Sequence, residues 1–149
     1  MLAQAQIQER IRNFPERCRA AGLKVTHQRT AIYGVLAATE SHPSPEEVYE
    51  SVRPDLPSIS LATVYKVLDL FQRHGFLRRV STEHQVARYD ANMGTHHHLV
   101  CDGCGRIQDV SVSLPGGSLE SEAGADFSVS HYDIIFHGLC RDCRKAARA

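Results

Sequence analysis

The chain has no tryptophan, two methionines and only 7% aromatic residues, so its core has to rest on aliphatic side chains with a few aromatic anchors. Net charge is missing too. Seventeen basic residues balance seventeen acidic ones, and no global basic excess advertises a nucleic-acid partner. No apolar run approaches the roughly eighteen residues of a membrane span. The opening Met1–Arg10 lacks the apolar core of a signal peptide, so the expectation is a cytoplasmic protein with no membrane partner. Internal repeats, low-complexity tails, Gly-rich phosphate loops and nucleophile motifs are all absent, which argues against most enzyme classes. The 149 residues suffice for one medium domain or two small ones, and small halves often need a metal or a partner.

Cysteine, by contrast, is plentiful and patterned. Cys101-Asp-Gly-Cys104 and Cys140-Arg-Asp-Cys143 are two pairs of two-residue-spaced thiols, the arrangement a closed tetrahedral zinc site needs. Thirty-five residues separate the pairs, so a zinc ion would staple the two ends of a small domain. Two disulfides or redox-active dithiols are the competing readings, and four cysteines in metal-type spacing suit a reducing compartment. The fifth, Cys18, reads as a small buried helix residue. Directly before the first pair stand His96, His97 and His98. On a strand, His96 and His98 point to one face and His97 to the other, so His97 is not expected to share an ion with them.

The first ninety residues carry twelve basic against ten acidic side chains, and the remainder five against seven. Residues 2–21 read as an amphipathic helix with Ile7, Ile11, Phe14 and Cys18 inward, kinked or divided at Pro15 and stopped by Gly22. A second helix follows Lys24–Arg29, capped by Thr26, with Ala31, Ile32, Val35 and Leu36 inward. Ser44 caps a third, with Pro45 at its first position and Glu46-Glu47 favourable at the positive end. Its apolar face is Val48, Tyr49 and Val52, and Pro54 ends it. Ser60 caps Leu61–His74, whose inward face is Val64, Val67, Leu68 and Phe71. Two strands, Phe76–Thr82 and His84–Asp90, form a hairpin around Glu83. Short helices followed by a basic hairpin outline a winged helix-turn-helix, with Leu61–His74 entering the DNA major groove. On that helix Tyr65 can touch a thymine methyl or a base edge, while Thr63 and Lys66 can reach phosphate. Lys24, His27, Gln28 and Arg29 are backbone-contact candidates, as are Arg78, Arg79 and Arg88 on the hairpin.

Ala91–Thr95 reads as a hinge, and the expected division is a DNA-binding domain over 1–90, a hinge over 91–97 and a second domain over 98–149. In the second domain His98–Cys101, Arg106–Val112 and Phe127–His137 look like strands. Residues 114–126 could hold one short helix, Ser118–Ala123. The fold class expected is α+β: a winged helix-turn-helix, then a small α/β dimerisation domain stapled by a four-cysteine zinc site.

Six stretches together resemble the ferric uptake regulator family of bacterial metal-responsive repressors. They are Leu23–Arg29, His42-Pro-Ser-Pro-Glu-Glu-Val-Tyr49, Ser60–Leu68, Ala87–Asp90, His96–Gly105 and Gly138–Cys143. The resemblance implies a homodimer on a palindromic double-stranded operator. It looks closest to the peroxide-sensing repressors, which bind iron or manganese through three histidines and two aspartates. The matching positions are His42, Asp90, His96, His98 and Asp109, with His42 and His96 as the implied oxidation targets. Iron-sensing members tend to carry glutamate where Asp90 and Asp109 stand. Tyr132 replaces a histidine often used in an additional metal site, so that site is not expected. The set implied, imidazole plus carboxylate, is harder and more oxygen-rich than four thiolates and suits Fe(II) or Mn(II) better than it suits a structural zinc.

The function expected is therefore a metal-dependent repressor, with zinc as scaffold and iron or manganese as regulator, responding to peroxide through oxidation of a ligand histidine. An iron- or zinc-responsive repressor of the same family is the alternative. A non-haem iron oxygenase and a zinc-ribbon interaction module are the rivals of other classes. Five candidate ligands leave little room for a substrate, and the helices ahead of the cysteines argue against a bare ribbon.

Overall fold

The computed structural model describes residues 4–80, 86–112, 128 and 132–147. Its trace separates into two compact units, Met1–Gly94 and Thr95–Ala149. The first runs α1 (Gln4–Ala20), α2 (His27–Ala38), α3 (Pro45–Val52) and α4 (Leu61–Arg73), then β1 (Arg78–Val80) and β2 (Arg88–Asp90) as an antiparallel pair. The helix starts are where polar side chains can satisfy the free N–H groups. Thr26 accepts from the Arg29 N–H, and Ser60 accepts from the Thr63 N–H. Ser44 and Glu47 form a reciprocal capping box behind Pro45.

Residues Val64, Val67, Leu68 and Phe71 are buried on α4, as its 3.6-residue period demands. They meet an aromatic cluster in which Phe14 stacks on Tyr33 with ring centroids 4.3 Å apart, while Phe71 and Phe76 meet Phe14 edge-on. Arg17 lies 4.6 Å over the Phe76 ring and donates to the Tyr33 hydroxyl at 2.9 Å. Two expectations are corrected in this core. Of the two effects expected of Pro15, division is overturned: α1 continues through it as one helix of 17 residues. Phe14 and Cys18, both fully buried, anchor the helix on either side of the proline, and their packing outweighs the missing hydrogen bond. Tyr33, absent from the expected inward face of α2, is one of its buried residues, while Ala31 and Val35 are half-buried beside it.

In the second unit β3 (His97–Cys101) is the middle strand of a three-stranded sheet. It pairs antiparallel with β4 (Ile107–Val110) and parallel with β5 (Ile135–Gly138). A short helix, α5 (Arg141–Ala146), follows. The last strand is shorter and later than the expected Phe127–His137: Tyr132–Ile134 are described but are not strand. There the Ile134 N–H is taken by the His97 ring and Tyr132 stacks on that ring, which ends the ladder early. The hairpin turn at Glu83, the possible helix Ser118–Ala123 within 114–126, and Phe127 lie outside the described residues.

The architecture is the expected α+β one, a winged helix-turn-helix followed by a small α/β unit. Among the described residues, no helix is long and apolar enough to cross a membrane.

Candidate metal centres and DNA-facing surface

The turn between β3 and β4 begins at Cys101. The Cys101 N–H donates to the Arg106 carbonyl at 2.9 Å, and the Gly105 N–H returns to the Cys101 carbonyl at 2.8 Å, closing a tight knuckle around Cys104. Gly105 has φ +70, a left-handed conformation that favours glycine. From the other end, Cys140 precedes α5 and Cys143 lies in its first turn. The four sulfurs lie within 4.8 Å of one another, and Cys104 Sγ is 3.8 Å from Cys140 Sγ. Tetrahedral zinc with sulfur at about 2.3 Å requires sulfurs about 3.8 Å apart, so the set fits the ion. No disulfide joins any of them.

Proton affinities point the same way. The Cys140 N–H on its sulfur, with those of Cys104 and Gly103, brings the Cys101 thiol down to about 6. Hydrogen bonds that the Cys143 thiol donates to the sulfurs of Cys140, Cys104 and Cys101 push it up to about 12. Crowded sulfurs that cannot all ionise alone are stabilised together by a divalent cation.

One residue the sequence reading passed over is Gly103. A Cβ there would meet the Cβ and Sγ of Cys143 at 3.0 Å. A glycine between two closely spaced cysteines was the available signal. Gly103→Ala is expected to displace Cys143 and weaken zinc about tenfold, measured by competition with a chromogenic chelator.

The histidines form a second cluster. His98 sits opposite Asp109 in the β3–β4 register, and His97 opposite Val110. His96 Nε2 and His98 Nε2 are 3.2 Å apart and lie 3.6 and 3.9 Å from Asp109 Oδ1. All three histidines are buried. The alternation of the strand sends His97 to the other side, where its ring stacks on Tyr132 at 5.6 Å and its Nδ1 accepts from the Ile134 N–H. Convergent imidazole and carboxylate groups, with thiolates confined to the neighbouring cluster, make a donor set that fits Fe(II) or Mn(II).

His42 and Asp90 belong to the first unit. His42 is buried rather than a surface residue at a helix end, and holds φ +53 directly before Pro43. That left-handed backbone is uncommon for any residue with a Cβ, and strain of this kind clusters at functional sites. Asp90 ends β2, where its Oδ1 accepts from the Asn92 N–H at 2.6 Å.

The DNA-facing candidates divide. Tyr65 and Lys66 are exposed on α4, as are Lys24 ahead of α2, His27 at its first position, and Arg79 on β1. Thr63 is half-buried and shares a hydrogen bond with the Ser60 hydroxyl at 2.8 Å. Gln28 and Arg29 are half-buried, and Arg29 donates to the Lys24 carbonyl at 2.6 Å, bracing the loop before α2. Arg88 pairs with Glu47 and reaches the His42 carbonyl. Arg78 departs most from expectation. Its register partner is Asp90, its Nε lies 3.6 Å from that carboxylate, and its Nη2 donates to the carbonyls of Asn92 and Gly94. It braces the segment after the hairpin instead of facing outward.

A sequence profile of the ferric uptake regulator family matches residues 20–137. The chain belongs to that family. The peroxide-responsive repressor PerR of Staphylococcus aureus is 33% identical over 127 residues, covering 85% of this chain and 86% of that protein. PerR from Streptococcus pyogenes, whose structure is described as a basis for peroxide sensing and gene regulation, is 29% identical with a TM-score of 0.53. It covers 89% of this chain and 92% of that one. The Helicobacter pylori ferric uptake regulator Fur, at 23% identity, shares the fold, with a TM-score of 0.73 and 97% of each chain covered. Family members are DNA-binding dimeric repressors rather than enzymes. This chain is accordingly a metal-dependent transcriptional repressor.

Proposed function

We propose that this repressor binds a palindromic operator as a homodimer and releases it on exposure to peroxide. Zinc would be held by Cys101, Cys104, Cys140 and Cys143 as a permanent scaffold. The regulatory ion, Fe(II) or Mn(II), would be held by His42, Asp90, His96, His98 and Asp109. The observation that carries the reading is the convergence of His96, His98 and Asp109, a hard donor set separate from the four sulfurs. The two aspartates, together with the likeness to peroxide-responsive relatives, favour peroxide over iron availability as the signal.

Residues contributed by both units allow one bound ion to favour one arrangement of the dimer over others, which is what a ligand-driven switch requires. Tyr65, Thr63, Lys66, Lys24, His27, Gln28 and Arg29 would then meet the duplex. Arg78 supports this surface through the Asp90–Gly94 segment. Iron held by His42, Asp90, His96, His98 and Asp109 would supply a redox-active centre for peroxide beside its own ligands. The imidazole of His42 or His96 would be the two-electron reductant, taking up one peroxide oxygen while the other leaves as water, with no net change in the iron. The oxidised ring would be a poorer ligand, and the ion and the DNA would be released.

The test compares iron-loaded with manganese-loaded protein after peroxide treatment. Mass spectrometry should find one added oxygen on His42 or His96 in the iron form only, together with lost operator binding. Unmodified histidines with unchanged binding would leave an iron-responsive repressor as the better description.

A further inference from the structure

Beyond the metal centres, the exposed face of α4 carries a contact the function above does not use. The Tyr65 hydroxyl donates to Glu46 Oε1 at 2.6 Å, joining α4 to the first turn of α3. Both side chains are exposed. Glu47 closes the capping box and pairs with Arg88, so the box itself does not use the Glu46 carboxylate, which also bonds its own backbone N–H and the Ser44 side chain. The bond holds the Glu46 carboxyl below its usual range and the Tyr65 phenol above its own.

A carboxylate on a DNA-facing surface repels phosphate and, acting alone, weakens binding to every sequence. Here it also commits the only proton of the Tyr65 hydroxyl. A hydroxyl so committed cannot donate to a phosphate or a base edge. What the ring can still offer is apolar contact, and the apolar feature of the major groove is the thymine methyl.

We infer that Glu46 is a positioning residue that holds Tyr65 for reading a thymine methyl and bars its hydroxyl from non-specific phosphate contact. The inference rests on the reading that α4 enters the major groove. It assigns sequence discrimination to an acidic side chain that touches no DNA. Removing Glu46 should therefore raise general affinity while lowering selectivity, a pair of signs that a purely electrostatic or purely structural role does not produce.

The experiment uses full-length, manganese-loaded protein and a duplex selected from a random pool by the wild type. Uracil replaces thymine at one position at a time. In the wild type, uracil at the contacted position should weaken binding about fourfold, the effect of one buried methyl group. Glu46→Ala should reduce that ratio to near one and bind random duplex more tightly. Glu46→Gln, which can still accept the hydroxyl proton, should keep the ratio. Tyr65→Phe should lose the ratio as Glu46→Ala does but, keeping the carboxylate and lacking the hydroxyl, should not bind random duplex more tightly, and combining the two should lower the ratio no further. If Glu46→Ala keeps the fourfold ratio while Tyr65→Ala abolishes it, the positioning role is overturned and the groove reading stands. If Tyr65→Ala leaves every thymine-to-uracil ratio unchanged, both fall.

Discussion

Cys143→Ser is expected to leave Thr95–Ala149 without a cooperative unfolding transition and to yield a monomer, with bound zinc dropping from about one per chain to almost none. The reason lies in how little else holds this unit. Among its described residues only His96, His97, His98, Val100, Cys101 and Ile107 are buried, and three strands of four or five residues cannot enclose a large core. α5 has no buried residue at all. Its attachment is through Cys140, whose N–H donates to Cys101 Sγ at 3.2 Å, through Cys143, and through an exposed Arg106–Asp142 pair at 3.4 Å, worth little in water. For a structural four-thiolate zinc, binding free energy is folding free energy and is comparable with the whole net stability of a small domain. The measurements are zinc content, gel-filtration volume and thermal unfolding followed by circular dichroism. Cys18→Ala, in the core of the other unit, should keep its zinc. A Cys143→Ser protein that remains a folded dimer would show that the cluster is dispensable for folding.

How far these features were legible depends on whether local pattern or tertiary packing decides them. The four inward residues of α4 and the caps Thr26, Ser44 and Ser60 follow from spacing and from side chains that satisfy their own helix starts. The four-cysteine cluster was legible because two-residue thiol spacing is itself a ligand geometry. Tyr33 was not. It falls outside the inward set that spacing picks out on α2, and Arg17, on another helix, supplies a donor to its hydroxyl inside the core. Pro15 misled because its cost is local while the compensation comes from Phe14 stacking on a distant ring. Arg78 reads as an outward cation in sequence, and only the strand register places it opposite Asp90. Among the candidate ligands, the alternation of His96, His97 and His98 was readable, but the pairing of His98 with Asp109 was not. That pairing depends on how the chain turns between residues 101 and 106.

His98→Ala is expected to lower Mn(II) affinity by at least about 100-fold and to abolish metal-dependent operator binding, because losing a ligand exceeds the cost of losing a group that merely orients one. Asp109→Ala should act in the same direction. The contrast is His97→Asn. Its side-chain oxygen can accept the Ile134 N–H as the His97 ring does, and it faces away from the cluster, so Mn(II) affinity should stay within about threefold of the wild type. Isothermal titration with Mn(II), followed by binding to the selected duplex, separates the three variants; equal losses in all three would remove the distinction between the two sides of β3. The same geometry links the two metal sets. The knuckle closed by Cys101, Gly105 and Arg106 fixes the register that brings His98 opposite Asp109. A one-residue slip would send every side chain of that ladder to the other side. Zinc-depleted protein should therefore lose Mn(II) binding even with His96, His98 and Asp109 intact, whereas His98→Ala should keep its zinc. That asymmetry would mark a scaffold set beneath a switch: the thiolates would determine where the proposed sensor ligands stand, and those ligands would have no hold on the thiolates.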